Sequence, residues 1–226
     1  MNDTIRKIID IEWEMFHNVN GEDRVDCQDD KTTFELMRNA QFSAWSDEAA
    51  QAYLEDVQQA QKDGRSLVRE KYIWMMQNTD PEGFEHFKGD LPEVSEEKNK
   101  LVADIWSHML AQTEKMREKY PLLALGGRPL HASEESEWPS VETYQKGELL
   151  TFSNKTLKAL LAHIEELEKQ GVDLAYKIQE NSITCLGYKT MEEAEFAMAE
   201  QFMTQMGITV EGGCPTCKAG LEEFEE

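Results

Sequence analysis

The chain has 226 residues, 40% of them hydrophobic, which is enough to fill a core and predicts a folded globular protein. Its 45 acidic against 23 basic residues give a formal charge of −22, which repels phosphate backbones and anionic lipid headgroups and argues against nucleic acid or a membrane as partner. Met1-Asn2-Asp3-Thr4 lacks the basic and apolar regions of an export signal, no apolar run is long enough to span a bilayer, and four cysteines suit a reducing compartment, so a cytoplasmic location is expected.

Ile5, Ile8, Ile9, Trp13 and Phe16 recur three and four residues apart, which predicts a first amphipathic helix. After a polar turn through Cys27, Gln28, Asp29 and Asp30, Thr33 is a candidate cap for a helix bearing Phe34, Met37 and Gln41. Ser46 caps the next helix, Gly64 ends it in a left-handed turn, and Ser66 opens a fourth. Asp80 to Pro92 reads as a loop or short helix, and Ser95 with Glu96 and Glu97 starts another long helix. That helix carries Leu101, Val102, Ile105, Trp106 and Met109, the stripe of the first helix 93 residues on.

Fourteen additional residues then form an inserted loop with Pro121, Gly126-Gly127-Arg128-Pro129 and a polar run, all opposed to continuous helix. Beyond it the pattern of the first half returns at a spacing of 107: Ser140 for Thr33, Ser153 for Ser46, Gly171 for Gly64, Asp173 for Ser66. Eight apolar positions agree in the same register, from Phe34 with Val141 to Leu67 with Leu174. Thr190-Met191-Glu192-Glu193 is a capping box for a last helix through Phe202 and Met206, which Gly207 stops.

The expected fold is therefore all-α. Two divergent four-helix units related by an internal duplication, about 1–90 and 91–189, are followed by a helix over 191–206 within one domain of 1–207. A short acidic tail with a Cys-x-x-Cys pair occupies 208–226 and has too little apolar content to pack alone.

One set of strings resembles a known family. Ile11-Glu12-Trp13-Glu14-Met15-Phe16 with Val19-Asn20, Cys27-Gln28-Asp29-Asp30, Phe34, Met37-Arg38, Gln41-Phe42, Trp45-Ser46, Glu142-Thr143-Tyr144 and Gly147-Glu148-Leu149 are similar to the bacterial family catalogued as domain of unknown function 4125. The resemblance covers most of the chain and implies no activity.

Arg38, Gln41 and Trp45 follow one another at helical spacing on one face, and their counterparts 107 residues later are Gln145, Glu148 and Phe152. If the units pack about a pseudo-twofold axis, Arg38 faces Glu148 across it. Two readings follow: a buried ion pair without chemistry, or a polar pocket in which Arg38, Gln41, Trp45, Tyr144 and Glu148 hold a small anionic or amide ligand. By the same symmetry the Cys27 turn and the inserted loop belong at one end of the bundle. There Cys27, Asp29 and Asp30 with Arg128 are the candidate catalytic residues, and His131 a candidate base, although acidic neighbours raise a thiol's pKa and oppose its activation.

Glu14 and His17 form a single Glu-x-x-His, and a di-metal bundle needs a second copy that the chain lacks, so a surface pair is the better account. Cys214-Pro215-Thr216-Cys217 has the spacing of half a zinc or iron–sulfur knuckle, which Cys27 and Cys185 can complete if the tail folds back. A redox dithiol and an idle tail are the alternatives. The leading expectation for function is a small-ligand or partner-binding accessory protein with a metal-binding tail, its partner a small molecule or a protein. An enzyme using the Cys/Asp/Arg end of the bundle and a purely structural interaction protein are the rivals.

Overall fold

Every regular element in the computed structural model, which describes residues 2–19, 29–125, 127–132 and 139–206, is helical. Eleven α-helices occur among the described residues: α1 (Asp3–His17), α2 (Lys31–Phe42), α3 (Asp47–Lys62), α4 (Leu67–Thr79), α5 (Pro81–Phe87), α6 (Glu96–Lys119), α7 (Pro121–Leu125), α8 (Val141–Thr151), α9 (Asn154–Lys169), α10 (Leu174–Cys185) and α11 (Met191–Gln205).

The caps explain where these helices begin. The hydroxyls of Ser46, Ser66, Ser95, Ser140, Ser153 and Thr190 each accept the backbone N–H three residues on, satisfying one of the donors that a helix start leaves open. Thr33 does not cap α2. Asp30 does, accepting the Thr33 N–H at 3.0 Å, so the helix starts three residues early and Thr33 lies in its first turn. Asp173 stands at the N-cap of α10, but its carboxylate is turned to Lys115 at 2.7 Å instead. Gly64 (φ 68°) and Gly171 (φ 73°) end α3 and α9 in the left-handed region, where a Cβ costs about 1–2 kcal/mol.

Packing repeats across the chain. α1 lies against α2, α3 and α4, as α6 lies against α8, α9 and α10; α4 packs on α8, as α10 packs on α2. α3 and α9 pack on each other antiparallel, with their first halves side by side. Asp56 of α3 accepts the Ser153 N–H at the start of α9, and His163, the residue 107 positions after it, approaches the Ala44 carbonyl just before α3. The main core draws on both sets of helices, with Ile8, Phe42, Val57, Phe152, Leu157 and Ile164 fully buried.

The inserted segment is not all loop. Pro121, whose missing N–H suits a first helical position, opens α7. The next two amides of α7 donate to both oxygens of Glu195 on α11, at 2.8 and 2.7 Å. Tyr120, Ile183, Met191 and Ala194 form a second small core there, which anchors α11. No helix among the described residues is long and apolar enough to cross a membrane.

Candidate functional site

The buried stripe of α1 contains a carboxylate. Glu12 stands between Ile8, Ile9, Met15 and Phe16 and is 2% exposed. An ionised carboxylate buried alone would be untenable, and it is held by a guanidinium: Arg38 Nε and Nη2 donate to its two oxygens at 2.7 and 2.5 Å. The Tyr53 hydroxyl, from α3, adds a third bond at 2.6 Å.

Arg38 and Glu148 meet as their positions in the 107-residue register suggest. Arg38 Nη1 donates to Glu148 Oε1 at 2.7 Å and to Gln41 Oε1 at 2.9 Å, while Gln41 Nε2 donates to Glu148 Oε2 at 3.1 Å. Every donor of this network comes from α2 or α3 and every carboxylate from α1 or α8, so it ties the two sets of helices together. Arg38 also lies over the Phe42 ring, 4.6 Å from its centroid.

Next to this network is a second buried cation. Lys71, on α4, is 7% exposed and donates to the Tyr144 hydroxyl at 2.8 Å, its Nζ only 4.2 Å from the centroid of that ring. Among the described residues no carboxylate lies within ion-pair distance of it. Gly147 makes this approach of α4 and α8 feasible, since a Cβ there would stand 2.9 Å from Met75 Cγ and 3.1 Å from the Lys71 carbonyl oxygen.

Burial and charge act against each other on these groups. Burial works to raise the Glu148 carboxyl, but the Arg38 and Lys71 cations and the Gln41 amide hold it below the usual carboxylate range. For Lys71, burial disfavours the ammonium, and the Tyr144 oxygen and Glu148 carboxylate more than reverse that, so it stays charged. Burial and then the Glu12 charge push the Tyr53 phenol up, which keeps it a neutral donor.

A cavity of about 310 Å³ opens onto these residues. Glu12, Arg38, Lys71 and Glu148 form its charged side, with Tyr53, Tyr72 and Tyr144. Phe16 and Phe34, stacked at 5.2 Å and 15°, line it together with Met37, Leu67 and Val68. Asp30, the N-cap of α2, and Arg128, after α7, complete the lining. Arg128 lies over the Tyr144 ring at 5.2 Å and donates to the Pro139 carbonyl, while Arg117 holds the Arg128 carbonyl at 2.7 Å.

Of the ligand candidates, Arg38, Tyr144 and Glu148 line the cavity and Gln41 braces two of them. Trp45 lies elsewhere, packed against Phe42, Tyr53 and Phe152. Asp29 is exposed, and His131 is engaged with Glu142 at 2.8 Å. Cys27, Cys214 and Cys217 lie outside the described residues; Cys185 is half-buried at the end of α10. Among the described residues, no three His, Cys, Asp or Glu side chains are grouped to hold a metal ion. Glu14 accepts from Gln61, and the His17 ring lies 5.6 Å from that of Trp13.

Sequence reasoning missed Glu12, Tyr53 and Lys71. A signal existed for two of them. Glu12 interrupts an apolar stripe at i+4 from Ile8, and Lys71 lies at i+3 from Val68 and four before Met75.

The family model described as "Protein of unknown function (DUF4125)" matches residues 2–196, a span that includes every residue lining the cavity. No curated protein and no solved structure matches the chain.

Proposed function

The chain belongs to the DUF4125 family, whose description assigns no activity, and from that premise we propose that it is a binding protein for a small anionic molecule held in the cavity between α1, α2, α4 and α8. One observation carries the reading: Lys71 is buried at the cavity wall, charged, with the Tyr144 hydroxyl as its acceptor and no carboxylate paired to it among the described residues. An ammonium has three donors, and a group in this position is stabilised by an acceptor that arrives with the ligand. Arg128 adds a second cation to the same wall.

The volume suits the role. At about 30 Å³ per water, about 310 Å³ corresponds to roughly ten waters and to the lower end of ligand pockets, of order 300–1,000 Å³. In a chain of charge −22 the lining carries as many cations as carboxylates, and two of the cations, Lys71 and Arg128, have no carboxylate within ion-pair distance among the described residues, which favours an anion there while the remaining surface repels polyanions. A cytoplasmic metabolite is the class of ligand that fits.

A thermal-shift screen of small carboxylates, sulfonates and phosphates tests this, on the wild type and on Lys71→Met and Thr33→Trp. The second change places an indole in the cavity from an exposed position of α2. The reading requires at least one anion that raises Tm in the wild type and in neither variant. If no anion shifts the wild type, or if both variants keep the shift, the cavity is not an anion site.

A further inference from the structure

We infer that the occupant of this cavity is a monoanion with a flat apolar body, an arylalkyl carboxylate by chemical class, and neither a phosphate ester nor a neutral molecule. The inference rests on the anion-binding reading above and narrows it to one charge and one shape.

The charge follows from counting what already faces the cavity. Glu12 and Glu148 are matched by Arg38 and Lys71, so the four buried groups are neutral together. Asp30 is committed to the positive end of α2, where it accepts the Thr33 N–H. Arg128 remains. Among the described residues no carboxylate lies within ion-pair distance of its guanidinium, which rests on the ring that also carries Lys71. With Asp30 set against the helix end, Arg128 is the cation left over among the described residues, and a carboxylate at the Tyr144 ring cancels it. A phosphate monoester, with a charge of about −2 at neutral pH, would leave one negative charge in excess beside two buried carboxylates, where poor screening makes like charges costly.

The shape follows from the remaining wall. Phe16 and Phe34 are nearly parallel, 15° apart, and with Met37, Leu67 and Val68 they present apolar surface and no polar side-chain atom other than the Met37 sulfur. The charged lining residues are Glu12, Arg38, Lys71, Glu148 and Arg128, with Asp30 at the start of α2. A ligand matching both sides has its carboxylate at one end and an aromatic or comparably flat group at the other. The volume limits it to on the order of a dozen non-hydrogen atoms.

Matched sets of probes decide the matter by calorimetry at mildly alkaline pH: phenylacetate, phenylacetamide and benzylphosphonate, and the corresponding indolyl series. In at least one series the carboxylate is expected to bind about tenfold or more tightly than its amide and its phosphonate. Arg128→Gln, a change at an exposed residue that leaves the buried network intact, should remove most of that preference, and Phe34→Ala should weaken all three members. A phosphonate that binds as well as the carboxylate overturns the charge count and leaves the anion reading standing. So does an absence of binding by both series if another anion binds in the thermal-shift screen. An amide that binds as well as the acid, with binding unchanged in Lys71→Met, overturns both.

Discussion

Among the described residues two cavities of nearly equal size stand at matching places in the two sets of helices; four buried charged side chains line the first and none the second, whose charged residues are half-buried Arg117 and the exposed Arg128 that both share. The first, about 310 Å³, has Phe34, Arg38, Val68, Lys71 and Tyr72 in its wall; the second, about 330 Å³, has Val141, Gln145, Ala175, Ile178 and Gln179, each 107 residues further on. Phe16 answers to Met109, and buried Glu12 to buried Ile105, at the spacing of 93 that relates α1 to α6. The contacts among helices are alike, yet the second set holds together with amides and aliphatics where the first buries four charges. Charges are therefore not what this arrangement of helices needs. Buried ion clusters are often no more stabilising than apolar residues of the same volume, so their presence on one side is better explained by what the cavity holds.

Breaking the charged side should produce the largest effect. Glu12→Ala leaves Arg38 with one carboxylate instead of two and the Tyr53 hydroxyl without its acceptor, and it should cost about 3–5 kcal/mol in urea unfolding. Copying the second cavity into the first, as Glu12→Ile with Arg38→Gln, Lys71→Ile and Glu148→Gln, removes all four charges together. That variant should recover most of the loss and bind no anion. If it is as unstable as Glu12→Ala, the charges are structural, and the contrast between the cavities says nothing about function.

A gentler change isolates one carboxylate. Glu148→Gln keeps the shape and weakens the bonds to Arg38 and Gln41, at a cost of about 2–3 kcal/mol at neutral pH. Because the folded protein holds the Glu148 carboxyl below its ordinary range, the unfolded chain binds that proton first as acid is added. The stability Glu148 contributes is complete above its unfolded pKa and disappears as pH falls through the lower folded value. Wild type and Glu148→Gln should thus converge in stability below the usual carboxylate range, and a gap constant with pH would contradict the depressed pKa.

Much of this scaffold is legible in the sequence. Caps such as Ser46 and Ser153, and the left-handed Gly64 and Gly171, are local signals that tertiary packing had no reason to override. The register also placed Arg38 opposite Glu148. It failed where a side chain's meaning depends on what lies across the core. Glu12 looks like one more acid of an acidic protein until α1 is rotated to bury its stripe, and Trp45 has the spacing of Arg38 and Gln41 yet turns into the aromatic core. Thr33 is as good a cap as Asp30 by residue type, and only the structure shows that the helix takes the earlier of the two.

The matching helix contacts are also unequally tight. Ala40 on α2, fully buried, and Gly147 on α8 are 107 residues apart, and each belongs to a contact with the other set's fourth helix. α10 approaches α2 closely enough for Asn181 to donate to the Ala40 carbonyl and still admits a methyl group there. α4 leaves no such room at Gly147, whose Cβ would press on the Lys71 carbonyl. Gly147→Ala should cost about 1–3 kcal/mol by overpacking and displace Lys71, lowering anion affinity as well. Ala40→Gly should cost less than that, about 0.5–1 kcal/mol, with binding unchanged. Equal costs and equal binding would mean that the close approach serves packing alone.

The smallest contrast concerns how the two central helices start. α3 has Asp47 and Glu48 in its own first turn, where acids meet the positive end of the helix; α9 has none and receives Asp56 from α3. The imported carboxylate accepts the Ser153 N–H at 2.8 Å and the hydroxyl of buried Thr156 at 2.7 Å, so Asp56→Ala leaves two donors without it. A loss of about 1–2 kcal/mol is expected. Asp47→Ala removes an exposed acid with its field and one long, exposed bond from the Asn2 amide to lose, about 0.5 kcal/mol, and most of that difference should fade in high salt, whereas the Asp56 effect should persist because its donors are sheltered. Hydrogen exchange at the first turn of α9 gives the site-specific reading. If Asp56→Ala leaves those amides as protected as before, then the start of α9 is secured by Ser153 alone, and α3 does not hold the second set of helices in place.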